Sequence, residues 1–126
     1  MVGKDNILNV LIQTEEKEKR FFAAWKRGVD LLGRHLFGPK TPATAQHKDD
    51  LRPVRTRIEK EIVSMSGGEE QFISAMVSFY NPDWGEDLAR KIDCQKSVCG
   101  LTYNLDHEQA EILAELMVNY QGWPES

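Results

Sequence analysis

Two cysteines and three histidines are the residues best suited to metal or nucleophile chemistry. Cys94 and Cys99 are separated by four residues, and His107 follows. Thiolate and imidazole are both zinc ligands. The spacing is wider than the tight Cys-x2-Cys of common zinc modules, and a fourth ligand would have to be His35, His47 or an acid. The pair reads as buried or incidental thiols, and no metal is expected. A reducing cytoplasm would also keep them from forming a disulfide. His107 sits between Asp106 and Glu108, but an acidic turn at a helix start is ordinary capping chemistry. Asp49/Asp50 and Glu86/Asp87 are neighbours in sequence, so neither pair shares a helix face. No phosphate-cradling glycine loop, nucleophile elbow or His-Glu-x-x-His occurs. Neither catalysis nor a cofactor is expected, although distant acids and histidines could still converge on one pocket.

A second kind of chemistry is electrostatic. Lys40, Lys48, Arg52, Arg55, Arg57 and Lys60 form a basic stretch that could meet phosphates. A nucleic-acid site would use Lys48, Arg52, Arg55, Arg57 and Lys60. Against it, Arg55 with Glu59 and Arg57 with Glu61 can pair along one helix. No aromatic interleaves to stack bases. The chain is also acidic overall, at -4. Its halves differ: residues 1–60 carry +5 and residues 61–126 carry -9. Folding can interleave them, or leave a basic and an acidic face.

The third kind is hydrophobic. Ala110, Ile112, Leu113, Ala114, Leu116, Met117, Val118 and Tyr120 leave only a narrow polar strip on the last helix. An arc this apolar is either deeply buried or shared with a partner. Ile112, Leu116, Tyr120 and Trp123 are the candidate interface. Tyr80, Trp84, Tyr103, Tyr120 and Trp123 crowd the second half, where the core role is preferred to the interface role.

Helices must position all of these. Phe21, Phe22, Trp25, Val29, Leu32 and Leu36 form one stripe at the helical period. Gly28 and Gly33 flank it and would admit a neighbouring helix. Gly38-Pro39 is the expected stop. Ile7 and Leu11 extend the stripe upstream, but Thr14 and Glu18 interrupt it. Either one long helix overhangs the core, or Thr14 caps a second helix. The stretch 39–50 is read as a loop. Leu51, Val54, Ile58, Ile62 and Met65 predict a helix capped by Asp49 or Asp50, with Pro53 in its first turn. Ser66 and Glu69 match a capping box for a helix bearing Phe72, Ile73, Met76, Val77, Phe79 and Tyr80. Asn81-Pro82 ends it and opens another with Trp84, Leu88 and Ile92 inside. Residues 93–104 are an irregular link, with an extended piece expected near 98–103. Asp106 and Gln109 match a second capping box. A helix-turn-helix over 50–80 is disfavoured, because its recognition helix would begin with two glutamates and carry no base.

The expected fold is all-α: one domain over 1–126, five to six helices around one core, and one longer loop at 39–50. The helices over 69–80 and 106–121 should form its centre. Apolar residues make 40% and charged residues 29%, as in ordinary globular chains. No run reaches the roughly 18–20 apolar residues of a membrane span, and no signal peptide is evident. A soluble cytoplasmic protein is therefore expected. The pattern from Trp84-Gly85 through Leu105-Asp106 to Tyr120-x-Gly122-Trp123 resembles short bacterial and phage proteins, and it carries no diagnostic motif. The preferred function is a non-enzymatic interaction or regulatory protein, with a homodimer through the last helix as its first case. Nucleic-acid binding through 40–60 is the alternative, and an enzyme with a dispersed acid and histidine site is the third.

Overall fold

In the computed structural model, residues 4–92 and 104–123 are described, 4–6 by backbone alone. Five α-helices pack together among them: α1 Lys4–Leu32, α2 Arg55–Glu61, α3 Gly67–Tyr80, α4 Pro82–Lys91 and α5 His107–Asn119. The fold is all-α in class, with one small addition. Phe37–Pro39 (β1) and Leu51–Pro53 (β2) form an antiparallel ribbon, with Gly38 opposite Arg52.

α1 is a single helix through Thr14. That side chain caps nothing new; its hydroxyl donates back to the Val10 carbonyl at 2.9 Å. The helix ends at Leu32, not at Gly38-Pro39. Gly33 has φ 128°, a conformation open to glycine at little cost. A short 3-10 turn, Arg34–Leu36, then carries Leu36 into the core. Gly28 does admit a neighbour, since a Cβ there would stand 2.5 Å from Met76 Sδ on α3.

The helix expected from Leu51 starts later, at Arg55. Leu51, Arg52 and Pro53 are extended instead. Alternation buries Leu51 and Pro53 and exposes Arg52. Asp49 and Asp50 cap no α-helix; with Lys48 they form a 3-10 turn ahead of the strand. The ribbon is framed by Lys40 N–H to the Asp50 carbonyl (3.0 Å) and Val54 N–H to the Leu36 carbonyl (2.8 Å). Part of the expected 39–50 loop is thus ordered by pairing.

Local caps formed largely as the residues predict. Asp106 and Gln109 make a reciprocal box at α5 (2.8 and 3.0 Å). Asn81 caps α4 by accepting from Trp84 N–H at 3.1 Å, with Pro82 in its first turn. Ser66 accepts from Glu69 N–H at 3.3 Å. Glu69 reaches the Ser66 hydroxyl rather than its backbone.

α3 is the most deeply set of the expected central pair, with Phe72, Ile73, Met76 and Val77 fully buried. That burial rules it out as a recognition helix. α5 runs antiparallel to α1, with Glu108 3.8 Å from Arg27 at one end and the Tyr120 ring tilted against Phe21 at the other. α1 contributes Phe21, Trp25 and Val29 to the core, so its stripe faces protein. The link at 93–103, with its expected extended piece, Cys94, Cys99 and Tyr103, lies outside the described residues.

α3 and α4 approach where Gly85 faces Ser78. A Cβ at Gly85 would lie 2.6 Å from the Ser78 Cα, part of a backbone that cannot rotate away. Gly85→Ala should therefore destabilise the protein by about 1–3 kcal/mol. Gly28→Ala crowds only the flexible end of Met76, with Phe72 at ordinary contact distance, and should cost less; urea melts of the two variants give the order.

Candidate functional site

The structure divides the five basic candidates by their partners. Lys48 is not available to a phosphate. Its side chain is only 11% exposed, and its ammonium donates to the Gly122 carbonyl (2.8 Å) and pairs with Glu18 (3.0 Å). It also sits over the Phe21 and Trp123 rings. A compact cation with three donors suits such a junction. Arg55 pairs with Glu59 at 3.1 Å, as its spacing predicts, and lies against Trp84. Arg57 does not pair with Glu61. It donates to the His35 carbonyl at 2.9 Å, while Glu61 takes the His35 ring at 2.5 Å. Arg52, Arg57 and Lys60 have no carboxylate partner among the described residues. The basic site is thus three residues, on β2 and α2.

Two open hollows meet at Arg57. One, of about 490 Å³, lies along the ribbon and is lined by Phe37, Pro39, Arg52, Pro53, Arg57 and Tyr80, among others. The other, of about 340 Å³, is lined by His35, Arg57, Lys60, Glu61 and Ser64.

The proposed interface on the last helix needs correction. Ile112 and Leu116 are fully buried, and Trp123 is 5% exposed. They face α1 and the aromatic core, so they cannot meet a partner without unfolding. Trp123 closes on Trp25 (centroids 4.9 Å) and Tyr80 (5.1 Å), and its N–H donates to Asp49 at 2.7 Å. Tyr120 remains partly exposed, with its hydroxyl donating to the Phe79 carbonyl at 3.0 Å. The open apolar residues of α5 are Met117 and Val118, at 69% and 67% exposed. They follow from the helical period, one step round from Leu113 and Leu116.

Half of the exposed large apolar side chains among the described residues lie elsewhere. Ile7, Leu8, Val10, Leu11 and Ile12 are each 53–60% exposed, all on the first turns of α1. The core begins only at Phe21. These turns form an arm that projects from the body. The arm's foot is marked by Phe21, which touches Tyr120 next to Met117 and Val118. The sequence offered a long helix overhanging the core, extended by Ile7 and Leu11, as one of two alternatives, and left Leu8, Val10 and Ile12 unremarked. The available signal was five large apolar residues within six positions, followed by an interrupted stripe.

No group of three or more His, Cys, Asp or Glu is placed to hold a metal among the described residues. No described helix is long and apolar enough to cross a membrane. Compared with protein-family models, curated proteins and solved structures, the chain matches none.

Two side chains here yield direct tests. Lys48→Met keeps the stem but removes the ammonium. It should cost about 1–3 kcal/mol and loosen the segment holding Trp123, read as faster amide exchange and changed tryptophan emission. Asp50 is held below its ordinary pKa of 3.8, chiefly by the Gln46 N–H it accepts. Burial opposes this shift, and the charges of His47 and Lys40 and the His47 N–H reinforce it. The folded state thus favours the carboxylate. Its stabilisation is present above pH 3.8 and is lost as pH falls below that value. Asp50→Asn should be less stable at neutral pH and show a flatter acid limb in pH-dependent melts.

Proposed function

We propose that this is a non-enzymatic interaction protein that pairs with a second copy of itself through the α1 arm. The observation that carries the reading is the set of five large apolar side chains, each more than half exposed, on that arm. They span an arc of about 200° at the helical period. Water is a poor cover for so wide an arc, whereas an apolar partner surface removes it from solvent.

Self-pairing fits the layout. Two arms laid antiparallel bring the tip of each, with Ile7 and Leu8, towards the foot of the other, where Met117 and Val118 are open. The contact is then the same patch on both copies, as a two-fold dimer requires. Full cover of those seven side chains removes on the order of 800 Å² per copy from water, about what a standard interface takes from each partner.

Light scattering after size exclusion, over a range of concentrations, tests this. The expected result is twice the chain mass for the parent, and a monomer for Ile7→Glu with Leu11→Glu. Both positions lie outside the core, so the variant should keep its helical spectrum. A parent that stays monomeric throughout, or a charged variant that still pairs, overturns the reading.

A further inference from the structure

We infer that the hollow along the ribbon binds a small organic anion, a phosphate or carboxylate carried on a flat apolar body. Four observations converge there. First, the cavity is about 490 Å³, within the range of small-molecule sites. Second, its walls are of two kinds. Pro39, Val54 and Tyr80 supply apolar and aromatic surface, with Phe37 and Pro53 buried behind them, and Arg52 and Arg57 supply charge.

Third, neither of those two guanidinium groups is paired with a carboxylate. Arg27, Arg34, Arg55 and Arg90 each have a carboxylate within 4.0 Å. Arg52 and Arg57, like Arg20, have none among the described residues, and only these two share a hollow. Arg57 commits one nitrogen to the His35 carbonyl, which fixes its direction and leaves its other donors free. A fork of planar donors suits a carboxylate or phosphate, which can accept two bonds side by side.

Fourth, the ribbon itself leaves the room. Gly38 stands opposite Arg52 across the strand pair. A Cβ at Gly38 would meet nothing within 4 Å. A larger residue there would occupy space beside the Arg52 guanidinium. The single aromatic wall and two adjacent cations favour one compact ligand over a strand, which needs repeated stacking surfaces and phosphate contacts.

Titration with phenyl phosphate, inorganic phosphate and an oligothymidylate, followed by calorimetry and by shifts of the Tyr80 ring resonances, tests the inference. Phenyl phosphate should bind saturably, about tenfold tighter than inorganic phosphate because its ring is also buried. Arg52→Gln removes charge from a side chain that holds nothing else in place. Gly38→Leu fills the hollow and leaves the charge unchanged. Each should weaken phenyl phosphate by about tenfold or more, with the thermal melt showing that the fold persists. Three outcomes overturn the inference: no saturable binding, binding indifferent to both variants, or tighter binding of the oligothymidylate with a salt dependence of several phosphates. The last would assign the surface to a nucleic-acid strand.

Discussion

The rest of the molecule depends on how Trp25 is buried. Its indole is fully removed from water, where an N–H without an acceptor is costly. The acceptor is the Leu51 carbonyl, 2.8 Å away. That bond joins the middle of α1 to the first residue of β2, and the ribbon then follows. Around the same indole stand Phe21, Phe37 and Trp123, with ring centroids 4.9–5.9 Å distant. One side chain thus gathers the long helix, both strands and the segment after α5. Offset and edge-on packing suits such a cluster, since each ring presents a positive edge to a negative face.

What was legible in the sequence was local. The capping residues of α4 and α5 lie within three positions of the groups they satisfy, so their spacing carries the whole interaction. The burial of Val29, Ile58, Met76 and Leu88 follows from periodicity in the same way. The ribbon was not legible. Three-residue strands have no period to detect, and the spacing of Leu51 and Val54 imitates a helical turn. Leu51 reaches the core by alternation rather than by rotation, and Trp25 decides this from far away in the sequence. The end of α1 was misplaced for a related reason. Leu36 continues the helical stripe on paper, but it becomes buried through a turn after Gly33.

The candidate sites follow the same division. An apolar stripe predicts burial and interface alike, so Ile112 and Leu116 could have served either; packing against α1 assigns them inward. The basic stretch could not be resolved by residue type either. Lys48 and Arg52 look equivalent in the chain, yet one is spent at a junction and the other points from a strand with no acid beside it. The interleaving of the basic and acidic halves is partial. Arg27–Glu108 and Lys91–Glu59 cross between them, whereas Lys48–Glu18 and Arg90–Glu86 remain within one half.

The latch at Trp123 has a consequence for how the chain is made. Trp123 is held by Asp49, while Lys48 holds the carbonyl just before it. Its ring also completes the cluster around Trp25. A ribosome releases α1 about ninety residues before this tryptophan. Until it emerges, Phe21, Trp25 and Tyr80 lack part of their cover, and the nascent protein has wet aromatic surface to protect. Closure therefore waits on residue 123, set by the order in which the parts arrive.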